Sequence, residues 1–373
     1  MQENTFHVNH DATQSVDNNT YMGRGCIKKL SGLLKNSKKI LIFTGKNVFK
    51  SIQKHFENIP RSCEILYYND FSPNPKKTDV DVALKNIGSD YDTIVAVGGG
   101  SVIDFAKLYK YYKKTNAALI AIPTTAGTGS EVTRFAVCYI NNKKYSIEDD
   151  TILPDFVIID PDTLDNSPKY LRLCTATDAL IQSVESYWSI NSMTESKNFA
   201  RQSMILCKEN INQYVIANDP FCAEKMALAA YLSGKAINIT KTTAAHALSY
   251  AFTIRYKIPH GHAVALSIAG LFEANQKIDK TNCNDKRGVE YVRDTLSEIE
   301  NILGRDYFNN LFLEMSLETN LAKLGIISVE DLIKEVNLDR LKNNPRYFSK
   351  EELKDLFQFN DDVANSHIPT MQF

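Results

Sequence analysis

Apolar and polar positions along this chain follow two regimes, which meet near Pro168. In the first, short apolar runs closed by glycine, proline or polar turns predict strands. These are Lys38–Thr44, ending at Gly45, then Glu64–Tyr68, Thr93–Val97, Ala117–Ile122 and Phe156–Ile159. Between them, helical periodicity predicts helices over Val48–Phe56, Thr78–Ile87 and Val102 to about Tyr112. Alternating strands and helices mean a parallel, Rossmann-like sheet. A hairpin is expected where Phe135–Tyr139 and Lys144–Ile147 flank Asn141-Asn142. Beyond Pro168, apolar segments such as Ala223–Ile239, Val289–Leu303 and Val329–Val336 have helical spacing. The predicted organisation is a polar segment over 1–20, a dinucleotide-binding α/β domain over 21–168 and an all-α domain over 169–373.

Composition narrows the class. The chain has 373 residues, enough for two cores, and its 43% hydrophobic and 23% charged content is ordinary for a globular protein. A net charge of −1 argues against nucleic acid or an acidic membrane as a general partner. Seven cysteines without a CxxC pair suit a reducing cytoplasm better than a disulfide framework. The first twenty residues are polar, read as loosely ordered, and lack the apolar centre of a signal peptide. No apolar run approaches the roughly 20 residues of a membrane span.

Candidate chemistry concentrates in Thr240–Leu266, which holds three of the chain's 7 histidines: His246, His260 and His262. An alanine-rich helical run is broken at Pro259-His260-Gly261, so His260 starts a new helix and can point back toward His246. Upstream, Asp178 and Gln182 are four apart and share a helix face. A carboxylate, an amide oxygen and two imidazoles suit a divalent transition metal, although single histidines on apolar helices are more often hydrogen-bonded core residues. In the α/β half, Gly98-Gly99-Gly100-Ser101 between a strand and a helix reads as a phosphate cradle or as a tight turn. A second Gly/Thr-rich loop, Pro123–Glu131, follows the next strand. Two such loops at neighbouring strand ends suit a nucleotide on the carboxyl edge of the sheet.

The motifs GGGSVIDFAK (Gly98–Lys107), PTTAGTGSEVT (Pro123–Thr133), LPDFVIIDP, Asp178-Ala-Leu and the AH…PHG pair together resemble the iron-containing, group III alcohol dehydrogenase family. FSPNP (Phe71–Pro75) and Asn344-Pro345-Arg346 fit the same pattern, and the resemblance runs from about Gly23 to about Leu356. It implies a dehydroquinate synthase-like architecture, with a dinucleotide-binding α/β domain, a helical metal-binding domain and an active site in the cleft between them. It implies that Gly98, Gly99, Gly100 and Ser101 hold the pyrophosphate and that Asp104 shapes that loop. Asn74, Thr124, Thr125 and Thr128 would line the nucleotide, and Asp178, Gln182, His246 and His260 would hold Fe(II) or Zn(II), with Mg(II) as an alternative. Gln182 replaces the family's usual histidine, which puts the affinity and identity of the metal in question. Tyr250 stands where many members have a second histidine. Gly45 replaces the aspartate common in NAD-using members; with Lys46 beside it, the change implies NADPH, with NADH also usable.

Two arginines bear on the substrate. Arg134 follows the second loop and Arg255 lies between the two histidine ligands. Guanidinium groups there suit an anionic substrate; the alternative is that they pair with backbone or with Glu131 and Glu185. The chain looks most similar to the phosphonoacetaldehyde reductase branch of the family. The expected reaction is therefore reduction of phosphonoacetaldehyde to 2-hydroxyethylphosphonate by a homodimer. Tyr250 and His262 are the candidate proton donors, His262 alternatively buttressing the ligand His260. The rival readings are a general small-aldehyde reductase, a dehydroquinate synthase-like lyase and a metal-free binding protein.

Overall fold

The computed structural model describes residues 14–365 apart from 18, 46, 47, 49–52, 57, 58, 60–62, 89, 142, 165, 166, 327, 335 and 337. The chain divides into two compact units, residues 1–125 with 130–167, and residues 126–129 with 168–373.

The first unit is built on a seven-stranded sheet. Its strands are β1 (Gln14–Asp17), β2 (Thr20–Met22), β3 (Lys39–Thr44), β4 (Glu64–Tyr68), β5 (Thr93–Gly98), β6 (Ala118–Pro123) and β9 (Phe156–Ile159), in the order β1-β2-β9-β6-β5-β3-β4. All neighbours are parallel except β1 and β2. Helix α1 (Lys77–Asn86) precedes β5 and α2 (Gly100–Lys113) follows it. The central strands are apolar through their interior positions because both faces are covered. Leu41, Phe43, Ile94 and Ala96 join one core; Ile40, Ile42, Val95 and Val97 join the other. Strand β7 (Phe135–Ile140) pairs antiparallel with β8 (Lys143–Glu148), and Asn141 sits at a left-handed φ of 49° in the turn.

Two expectations change here. The segment before residue 21 contributes β1 and the first residue of β2, and β2 joins the parallel sheet by pairing with β9. Of the helix expected over 48–56, the described part is a short 3₁₀ turn at Gln53–Phe56 together with Val48, and the rest lies outside the described residues.

The second unit is helical. Its helices of two turns or more are α3 (Lys169–Trp188), α4 (Thr194–Ala217), α5 (Pro220–Thr240), α6 (Ala244–Arg255), α7 (His260–Gln276), α8 (Val289–Leu303), α9 (Tyr307–Glu314) and α10 (Lys350–Asn365). Residues 126–129 belong to this unit because their backbone presses onto its helices. A Cβ on Gly129 would lie 2.4 Å from the Gly234 α-carbon, and one on Gly127 would lie 2.6 Å from the Thr175 Cβ. Among the described residues no helix is long and apolar enough to cross a membrane.

Candidate metal and nucleotide sites

Helix α3 carries Asp178 in its middle, α6 carries His246 in its first turn, and α7 opens with His260. Together these three offer one ligand atom each within 4.8 Å of one another. His246 Nε2 lies 3.3 Å from Asp178 Oδ1, and His260 Nε2 lies 3.8 Å from the same oxygen. The break at Pro259 makes this possible, because α7 begins where it touches α3. A Cβ on Gly261 would come within 1.7 Å of the Cys174 carbonyl oxygen.

The donor chemistry fits a cation. His246 Nδ1 bonds to the fully buried Glu185, whose carboxylate can only accept, so Nδ1 carries the proton. In the neutral ring Nε2 then presents its lone pair, and that buried atom makes no hydrogen bond of its own. A lone pair facing a carboxylate oxygen at 3.3 Å needs a proton or a cation between them. Burial alone would lower the His246 pKa, but the charges of Glu185 and Asp178 outweigh it and hold it above the usual histidine value.

Gln182 shares the Asp178 face of α3, and its amide engages protein on both ends. Nε2 donates to the Thr128 carbonyl at 3.3 Å, and Oε1 accepts from Ser233 Oγ at 3.1 Å. Thr128 is therefore tied into the helical unit through its backbone. Tyr250 is buried on α6, one turn beyond His246 and on the same face.

Three further candidate residues have partners that the structure names. His262 is two residues past His260, and on a helix that turns it to another face. Its Nε2 donates to the Glu318 carbonyl at 2.7 Å, which leaves Nδ1 to accept from the Tyr170 hydroxyl at 2.9 Å. Burial lowers its pKa, and both ring nitrogens are engaged. Arg134 Nε lies 3.2 Å from Glu148 Oε1 and 3.8 Å from Asp150 Oδ1, beside the hairpin. Arg255 ends α6 with Nη1 3.8 Å from Asp331 Oδ2; nine residues past His246, it is about 13 Å further along the axis. Both arginines therefore meet carboxylates within their own units.

The nucleotide candidates other than Thr128 lie in the first unit. The strand order reverses at β3: β4 lies on one side of it and β5 on the other, so a crevice opens beyond their carboxyl ends. Thr44 pairs with Val97, which puts Gly45 level with Gly98 at that edge. The N-terminus of α2 starts there, with Gly99 as an N-cap that makes no side-chain cap bond. Asn74, at a left-handed φ of 59°, donates its N–H to Ser101 Oγ at 3.3 Å. Thr124 N donates to the Gly98 carbonyl at 3.1 Å, and Thr125 Oγ1 stands 3.2 Å from where a Gly99 Cβ would be. Gly100 is the first residue of α2. Lys46 lies outside the described residues.

Asp104 braces the second loop. One oxygen takes the Ser130 hydroxyl and the other the Val137 N–H at 3.0 Å. The fully buried Lys107 bonds the carbonyls of Ser130, Thr133 and Phe135. Burial pushes the Lys107 pKa down to about 8 and that of neighbouring Glu131 up to about 7. Sequence reasoning gave Glu185 no part in the metal site. The signal available was its spacing: Asp178, Gln182 and Glu185 stand at i, i+4 and i+7 on one helix face.

Several known proteins are similar to this chain. Phosphonoacetaldehyde reductase of Streptomyces viridochromogenes is 29% identical over 297 residues, covering 70% of this chain and 74% of that one. NADPH-dependent butanol dehydrogenase of Clostridium saccharobutylicum is 26% identical over 374 residues, covering 91% and 95%. A crystal structure of sulfoacetaldehyde reductase from Bifidobacterium kashiwanohense with NAD+ superposes with a TM-score of 0.80 at 25% identity, over 92% of this chain and 97% of that one. The chain shares the dehydroquinate synthase-like fold of its solved structural neighbours. Residues 17–161 match the family model "Iron-containing alcohol dehydrogenase", and residues 172–360 match "Fe-containing alcohol dehydrogenase family, C-terminal". Two matches over most of its length establish that the chain belongs to the iron-containing alcohol dehydrogenase family.

Proposed function

We propose that the chain reduces a small anionic aldehyde with a reduced nicotinamide nucleotide and a divalent metal, phosphonoacetaldehyde being the best single candidate. The observation that carries the reaction class is His246 Nε2, buried without a hydrogen bond and 3.3 Å from Asp178 Oδ1. Asp178, His246 and His260 would hold the metal, and two imidazoles favour Fe(II) or Zn(II) over Mg(II). Bound there, a divalent metal supplies a Lewis acid to a carbonyl oxygen, and the nucleotide supplies the hydride.

The chain's own residues bind and align. The N–H groups that open α2 receive the diphosphate, and Asp104 holds the neighbouring loop in place. Tyr250 is the group we assign to deliver a proton from its hydroxyl. Gly45 leaves no carboxylate at the end of β3 to repel a 2′-phosphate, which favours NADPH. That preference is the one named for the butanol dehydrogenase relative.

The substrate class rests on two relatives named for two-carbon aldehydes that carry an anionic group. Reduced-nucleotide consumption with phosphonoacetaldehyde, sulfoacetaldehyde and propanal tests it. A kcat/KM at least tenfold higher for an anionic aldehyde supports the reading. Equal or better use of propanal makes the chain a general small-aldehyde reductase.

A further inference from the structure

Glu185 occupies a position that neither a ligand role nor ordinary packing explains. It is fully buried on α3, and its hydrogen bonds to described residues go to the start of α6. One oxygen accepts from Ala245 N at 2.7 Å and from Thr243 Oγ1 at 2.8 Å, with His246 N at 3.4 Å. The other oxygen takes His246 Nδ1. Thr243 is the N-cap residue of α6 yet makes no side-chain cap bond to its own helix. Its hydroxyl instead accepts from Trp188 Nε1 at 2.8 Å and donates to Glu185. A carboxylate from another helix thus caps α6 and grips the imidazole of its first turn together.

We propose that Glu185 is the positioning residue of the metal centre. It fixes the His246 tautomer with the proton on Nδ1, and it sets the place of Nε2 relative to Asp178. The inference rests on the reading of Asp178, His246 and His260 as metal ligands. The geometry favours this because both carboxylates belong to α3, two turns apart. One rigid helix therefore carries a ligand and also locates the second ligand through Glu185. A carboxylate behind an imidazole ligand orients the ring and makes its far nitrogen a better donor.

The test is Zn(II) affinity of the full metal-stripped chain, measured by competition with a chromogenic chelator, beside the Tm of each variant. Glu185→Gln keeps the shape and removes the charge; it should weaken Zn(II) binding by about 10- to 100-fold in folded protein. A merely structural Glu185 would lower Tm and leave the affinity of the folded chain unchanged, which overturns the proposal. Should Glu185→Gln fail to fold, Glu185→Asp is read in the same way, because it withdraws the carboxylate by one methylene. His246→Ala separates the two claims. Its loss of binding with Glu185→Gln unaffected defeats this inference alone, whereas wild-type binding by His246→Ala defeats the metal site and the inference with it.

Discussion

Gly261 at the start of α7 lies against the backbone of Cys174 on α3, so closely that a Cβ at 261 would meet the Cys174 carbonyl oxygen at 1.7 Å. Cys174 is one turn before Asp178, and Gly261 follows His260 directly. The contact that excludes a side chain is therefore also the one that brings His260 within 3.8 Å of Asp178. Gly261→Ala should separate the helices, lowering stability by about 1–3 kcal/mol or more and weakening Zn(II) binding at least tenfold. Wild-type affinity in that variant would contradict the arrangement.

His262 is held as a neutral ring between the Tyr170 hydroxyl and the Glu318 carbonyl. His262→Ala leaves both partners without it and opens a cavity, so the expected cost is about 2–4 kcal/mol of stability. Zn(II) affinity and kcat at saturating substrate should stay within about threefold, as measured below the Tm. A fully stable variant with kcat reduced a hundredfold would restore the proton-donor role.

Much of this was legible in the sequence, and the misses have a common physical cause. The runs around Ile42, Val95 and Ile120 read as strands because both of their faces are covered, and Gly98–Ser101 stands at the end of one of them. The helix break at Pro259 and the approach of His260 to His246 were readable because Pro and Gly act locally. The partners of His262 were not readable because they are 92 and 56 residues away, where no periodicity reaches. Gly127 and Gly129 lie in the second Gly/Thr-rich loop, and the backbones they meet belong to helices far along the chain. Strand β2 has three residues and takes its conformation from β9. Arg134 is the exception: the pairing of Phe135 with Glu148 follows from the hairpin register and would have suggested its partner.

Glu131 gives a pH signature in the first unit. Burial raises its pKa from 4.5 to about 7, with Lys107 opposing the shift. Between those values the folded chain holds more protons at this site than the unfolded chain, so its contribution to stability falls as pH rises through that window. Glu131→Gln removes the slope. The Tm of the variant relative to wild type should therefore rise from pH 5 to pH 8; identical profiles would place the titration elsewhere.

Gly45 sits level with Gly98 at the switch in strand order, and among the described residues a Cβ there meets nothing closer than Val48 Cγ2 at 3.7 Å. Gly45→Asp should fit without strain and set a carboxylate against a 2′-phosphate. The kcat/KM for NADPH should drop at least tenfold while that for NADH holds or rises. Equal losses with both nucleotides would remove Gly45 from cofactor selection.

The central claim is that Asp178, His246 and His260 form a metal centre on which aldehyde reduction depends. Its most direct measurement is metal stoichiometry alongside aldehyde-dependent NADPH oxidation, on chain stripped by chelator and then reloaded with Fe(II) or Zn(II). The account predicts one equivalent bound, activity lost on stripping and regained on reloading, and neither binding nor recovery in His260→Ala. Full turnover by stripped protein, or one tightly bound equivalent in His260→Ala, would contradict it.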